Sequence, residues 1–218
     1  MVAFCFTMQE GVMLDLLDYR RRVFEMYRLL RRAFDDDAVQ AAALRFRRAK
    51  DELYRTHPQS PFDEQQRTAF RALSYYDYDP AYRVTAQLEP AERQVFHVRL
   101  DDDGDFYYER IGYVSFTLPL GRGRLAVYWI KGYGGGLFLP FVDATANNTT
   151  YGGGRYLLDT IKGADLGTTP DGEMVLDFNF AYHPSCTYNH RWVCPLAPQE
   201  NRLNFPIDAG ERLPWHQL

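Results

Sequence analysis

Cysteine is scarce in this chain, and long apolar runs are missing. Three cysteines in 218 residues are too few, and odd in number, for a secreted disulfide framework, so a reducing compartment fits and a cytoplasmic location is expected. No segment approaches the ~18 consecutive apolar residues of a spanning helix. The opening "MVAFCFTMQEGVMLDLLDYRRR" lacks both a basic leader region and a small-residue cleavage site. An excess of positive charge is also missing. With 25 Lys+Arg against 29 Asp+Glu the formal net charge is −4, which argues against a nucleic acid or an anionic membrane as partner. The stretches "RRRVFEMYRLLRR" and "RFRRAK" interleave arginine with aromatics, yet adjacent acidic residues make a solvated face or a helix–helix contact the expectation.

Aromatics are plentiful. Tyr (16) and Phe (15), beside Gly (16) and Pro (12), favour strands and turns over a helical bundle. The N-terminal part is nevertheless helical. From Val12 to about His57 apolar residues recur at helical spacing, with Leu16, Val23, Met26, Tyr27 and Leu30 on one face and Ala42, Phe46, Ala49 and Leu53 on the stripe of a second helix. Asp35 to Asp37 supply a cap and first-turn negative charge for that second helix, so a helical hairpin over residues 1–57 is expected. "HPQSPF" breaks it, and "DEQQRTAF" reads as one short helix capped by Asp63.

Beyond Tyr75 the period changes to two. "YRVTAQLE", "VFHVRL", "FYYERIGYVSFTL", "LAVYWIKG" and "LFLPFVD" read as strands separated by "DDDGD", "PLGRG" and "YGGG". "TYGGGRYLL" and "EMVLDFNFAY" add two more. About seven strands without intervening helices predict a mainly β (α+β) protein, with an antiparallel barrel or sandwich over residues 58–218 behind the hairpin. The Pro-rich end "CPLAPQENRLNFPIDAGERLPW" is expected to pack irregularly across the sheet. "DDDGD" at residues 101 to 105 is not an EF-hand, because the place of the loop's last glutamate is held by Gly112.

The stretches "YDPAYRV", "LFLPFVDATANNTTYGGGRYL", "VLDFNFAYHPSCTYNHRWVCPLAPQENRL" and "PIDAGE", in this order, resemble the bacterial and archaeal family known as domain of unknown function 1684. The likeness extends from Lys50 to Glu211. It implies a β-rich domain, sometimes behind an extra N-terminal module, and little about activity. Cys186, Cys194, Pro195, Glu200 and Asn201 match the family's pattern, whereas the place of His183 more usually looks like Asn and His190 is not a fixed feature.

Within "DFNFAYHPSCTYNHRWVCPLAPQEN", His183, Cys186, His190 and Cys194 have the composition of a tetrahedral zinc site. The spacing lacks a paired C-x2-C knuckle, four ligands in one short loop would be strained, and buried thiols with loop histidines are the expectation over zinc. The two cysteines could instead form a disulfide, or Cys186 could act as a catalytic thiol. On a strand "DFNFAY", Asp177 and Asn179 share one face, there to line a polar cavity or to bond a crossing loop. Arg155 follows three glycines, where it could clamp a carboxylate or phosphate, or pair structurally with Asp177 or Glu200. Asp143, Thr145, Glu200 and Asn201 add polar groups near these segments. The candidate ligand-binding set is therefore Arg155, Tyr156, Asp177, Asn179, Cys186, Cys194, Glu200 and Asn201, with no metal, no cofactor and a small molecule as partner. A ligand-binding barrel or sandwich is the leading expectation. A hydrolase using carboxylate or thiol chemistry is the second, and a structural zinc or partner-binding module the third.

Overall fold

The structure, a computed structural model, describes residues 10–33, 36–99 and 105–213. Two long helices come first, α1 (Glu10–Arg31) and α2 (Asp36–Thr56), and they pack together as the expected hairpin. The cap expected at Asp35 to Asp37 falls outside the residues and side chains described. On α2 the buried stripe is Val39, Ala43, Phe46, Lys50 and Leu53, whereas Ala42 is half-buried and Ala49 exposed. The stripe is thus turned relative to the sequence reading, because a lysine with a buried partner can take a core position. A short helix, α3 (Glu64–Ala69), follows the proline break. Asp63 accepts from the Gln66 backbone while the Gln66 side chain accepts from the Asp63 backbone, a reciprocal capping box.

The strands are β1 (Ser74–Tyr75), β2 (Arg83–Ala86), β3 (Leu88–Arg99), β4 (Asp105–Leu118), β5 (Gly121–Ile130), β6 (Gly136–Phe141), β7 (Arg155–Asp159), β8 (Met174–Asp177) and β9 (Glu211–Arg212). Strands β3 to β7 form one five-stranded antiparallel sheet in sequence order. The sheet does not close into a barrel. "YRVTAQLE" divides at Gln87, and its last two residues open β3, which runs on through "PAER" across an irregularity between Pro90 and Gln94. Most of "DDDGD" lies outside the described residues, although the strands flanking it pair from Arg99 to Asp105.

A second antiparallel ribbon, β2–β8, covers one face of the sheet. Tyr82, Ala86, Leu176 and Phe178 pack there on Val114, Phe116, Leu125, Val127, Leu139 and Phe141, together with Phe205, Ile207 and Ala209 of the C-terminal strap. On the other face Tyr108, Tyr128, Ile130, Phe138 and Tyr156 gather. Because both faces are covered, "LAVY" in β5 reads as an unbroken apolar run. The helical hairpin seals a third cluster, in which Met26, Tyr27, Leu30, Val39 and Phe46 meet Ala164 and Phe180. A two-residue pairing, Ser74 with Arg212 and Tyr75 with Glu211, ties the strap to the start of the β region.

Candidate functional site

The candidate residues form several networks instead of one. Arg155 opens β7 immediately after Gly154, whose φ of 93° lies in the left-handed region. A Cβ at Gly154 would collide with the Phe141 carbonyl. The Arg155 guanidinium is fully buried. It donates to Asp143 Oδ2 at 2.7 Å, to the carbonyls of Ile207 and Glu211 at 2.9 and 3.1 Å, and to that of Ala209. Its carboxylate partner is Asp143, not Asp177 or Glu200. Asp143 is in turn held by the Thr145 backbone and hydroxyl. Arg155 therefore pins the strap.

Asp177 ends β8, and the chain turns there. Residues Phe178–Phe180 form a 3-10 turn capped by the Asp177 carboxylate, which accepts from the Asn179 backbone at 3.0 Å and side chain at 2.8 Å. The alternation expected along "DFNFAY" is thereby broken, because an Asp with Asn two residues on makes a turn of its own. Asn179 uses its remaining groups on the Asp79 backbone, donating at 2.8 Å and accepting at 3.0 Å. Asp177 has none of its surface exposed, and Arg83 stands 3.8 Å away. Burial dominates its hydrogen bonds and the arginine, pushing the carboxyl up to about 6.

Cys186, Cys194 and Tyr156 do come together. Cys186 N–H donates to Cys194 Sγ at 3.4 Å, the Cys186 thiol lies 3.9 Å from the Tyr151 hydroxyl, and Tyr156 donates to the Pro195 carbonyl at 2.6 Å. Both sulfurs are free thiols, half-buried. His183 belongs elsewhere. Its Nε2 accepts the Tyr151 N–H at 3.3 Å, its Nδ1 lies 3.7 Å from Glu211, and burial presses its pKa down to about 3. His190 is exposed. Among the described residues no three His, Cys, Asp or Glu side chains gather as a metal ion would need.

Glu200 and Asn201 sit on the aromatic side of the sheet. Glu200 accepts from Arg110 at 2.7 Å, Tyr128 at 2.8 Å and Tyr113 at 2.9 Å. Burial alone would raise its pKa, but these donors outweigh it and hold the carboxylate below its usual range. Asn201 is wholly buried. Its amide accepts from Ala126 N–H at 2.8 Å and donates to the carbonyls of Ala126 at 2.9 Å and Pro140 at 2.7 Å.

A pocket among the described residues reaches Asp177. About 320 Å³ lies between the helical hairpin and the β2–β8 ribbon, with Asp177 and Arg83 on one wall, Arg31 and Thr168 on others, and Leu30, Val39, Leu166 and Phe180 as apolar lining. Arg31 is anchored by the Asp165 carbonyl at 2.6 Å. Neither Arg31 nor Arg83 stands out in the sequence as a site residue; the only signal is the place of Arg83 in "YDPAYRV". The buried pair Lys50–Glu211, at 2.6 Å, was equally hidden.

The open antiparallel sheet, its covering ribbon and the helical hairpin define an α+β protein, and no helix among the described residues is long and apolar enough to cross a membrane. The family model described as "Protein of unknown function (DUF1684)" matches residues 68–212. The chain belongs to this family. It is also similar to an uncharacterised protein from Haloarcula marismortui whose structure was determined by solution NMR, at 32% identity and a TM-score of 0.57, over 79% of this chain and 93% of the other. Comparison with curated proteins gives no match.

Proposed function

We propose that the chain binds a small organic acid in the pocket between the hairpin and the β2–β8 ribbon. The observation that carries this reading is the wall of that pocket. A buried carboxyl, Asp177, stands beside the guanidinium of Arg83 at a space of about 320 Å³ whose other walls set apolar Leu30, Val39, Leu166 and Phe180 beside a few polar groups, Arg31, Thr168 and Thr169. Apolar surfaces with a few convergent polar groups, in a volume of roughly 300–1,000 Å³, are what small-molecule sites are made of. The acid group pairs with Arg83, and the apolar body lies against Leu30, Val39, Leu166 and Phe180. Arg155, Tyr156 and Glu200 serve the scaffold in this reading. The cysteine count keeps the cytoplasm as the proposed location.

The test is a thermal-shift screen of small carboxylic acids against the full chain, with two variants. Thr168 is exposed at the rim, so Thr168→Trp obstructs the pocket without touching the core, and Arg83→Gln removes the counter-charge. An acid at about 100 times its Kd stabilises by ~2.7 kcal/mol, and both variants lose that rise. The same rise in both variants removes the site from consideration. Because Asp177 is held up at about 6, acid binding strengthens as pH falls through that value, and Asp177→Asn abolishes the dependence.

The same carboxyl supports a hydrolase as the second reading, since a group that exchanges its proton near pH 6 suits general acid–base work. A substrate turned over by the parent chain and not by Asp177→Asn would establish it.

A further inference from the structure

The paired thiols at the C-terminal side of the fold stand apart from the acid pocket and have chemistry of their own. Cys194 Sγ receives the N–H of Cys186 at 3.4 Å, which sets the two residues side by side. Lys162 adds positive charge nearby, itself fixed to Asp159 at 3.1 Å. A hydrogen-bond donor on the sulfur and a cation in its neighbourhood favour its thiolate. Cys186 experiences the reverse. Its thiol donates to the Tyr151 hydroxyl at 3.9 Å, and the Cys194 sulfur beside it favours keeping that proton. One sulfur is thus prepared as anion and the other as its proton-bearing partner.

Access is also provided. Both cysteines are half-buried, and Cys194 is flanked by exposed Val193 and Leu196. Tyr151, in contact with Cys186, lines an open cleft of about 570 Å³ together with Asn147, Asn148 and Gly153. The intervening loop is held at its far side, where Arg191 donates to the Ser60 carbonyl at 2.9 Å and Trp192 to that of Pro61 at 3.0 Å. It therefore presents the two sulfurs together instead of letting them separate.

We propose that Cys186 and Cys194 form a redox-active dithiol that exchanges with low-molecular-weight disulfides, Cys194 attacking and Cys186 resolving. The Cys194 thiolate displaces one half of the small disulfide, forming a mixed disulfide and releasing a thiolate. That thiolate takes up the Cys186 proton. The Cys186 sulfur then attacks Cys194, expelling the second half as a thiolate that is protonated from water. The outcome is one intramolecular disulfide and two small thiols, with two electrons passed from the protein to the reagent. The two sulfurs must close to the ~2.05 Å of an S–S bond.

The probe is oxidised glutathione, added to the reduced full chain carrying Cys5→Ser so that only the pair can react, with acid quenching and intact-mass analysis. The pair loses the mass of two hydrogen atoms and retains no adduct. Cys186→Ser accumulates a single glutathione on Cys194, and Cys194→Ser reacts at least about tenfold more slowly, as its thiolate-poor sulfur requires. Two glutathiones on the parent chain, or equal rates in both variants, overturn the proposal. A measurement on the unsubstituted pair guards against misfolded variants. Brief alkylation with iodoacetamide labels Cys194 before Cys186, and the opposite order refutes the assignment.

Discussion

Replacing Asn201 by Leu tests the structural role of the most buried polar side chain in the C-terminal segment. Strands β5 and β6 pair directly only from Tyr128 with Phe138 to Ile130 with Gly136. Farther along, the carboxamide of Asn201 stands between them and bonds Ala126 on one side and Pro140 on the other. It takes the part of a missing peptide unit in the ladder. Leu has similar volume but strands one N–H and two carbonyls away from water. Each buried group left without a partner costs roughly 1–3 kcal/mol. Partial relaxation brings the sum to about 3–5 kcal/mol, which in a chain of this size lowers Tm by roughly 10 °C. Urea unfolding with an unchanged slope is the assay. Asn201→Asp makes the sign visible. At pH 7 a carboxylate oxygen faces the two carbonyls, and on acidification the protonated group donates again, so its deficit relative to the parent shrinks as pH falls. A loss under ~1 kcal/mol in Asn201→Leu would refute the role assigned to this amide.

Two other perturbations follow from the buried charges. His183 is held neutral by burial, with its pKa down at about 3. Its contribution is therefore present above the unfolded value near 6.5 and is lost as pH falls from there toward 3. His183→Asn should flatten that limb of the stability–pH curve, and an unchanged acid limb would contradict the assignment. Lys50→Met leaves Glu211 buried, bonded still to the His183 backbone at 2.8 Å and the Tyr188 hydroxyl at 3.0 Å but without its cation. Removing one partner of a buried pair costs about 3–5 kcal/mol. Chemical denaturation reads it, and a near-neutral result would mean that water reaches the pair.

The sheet was legible because β3 to β7 follow one another along the chain and carry period-two or fully apolar runs, and α3 announced itself through "DEQQ". What escaped the sequence depended on partners far along the chain. The stripe expected on α2 ran through Ala49 and left Lys50 out, because the partner that lets the lysine be buried, Glu211, lies 161 positions away on the strap. At Asp177 the apolar alternation of "DFNFAY" concealed an Asp–Asn turn that a closer weighing of turn chemistry would have found. The glycines before Arg155 did signal close backbone approach, but the carbonyls approached belong to Ile207, Ala209 and Glu211. The pocket was legible only through Asp177. Its arginines come from α1 and β2, which packing alone unites.

The pairing of Ser74 and Tyr75 with Arg212 and Glu211 has a kinetic meaning as well as a structural one. The meander from β3 to β7 can assemble by successive hairpins, and even its longest connection, residues 142–154, is far shorter than the chain between β1 and β9. The β1–β9 contact closes a loop around nearly the whole β region, and its entropy, growing as (3/2)RT ln n, must be met before any bond repays it. Within the sheet alone Arg155 has Asp143 for a partner. The strap supplies Arg155 with its three carbonyls and Lys50 with its carboxylate, so these two deeply buried cations are fully paired only when the far end of the chain path is in place.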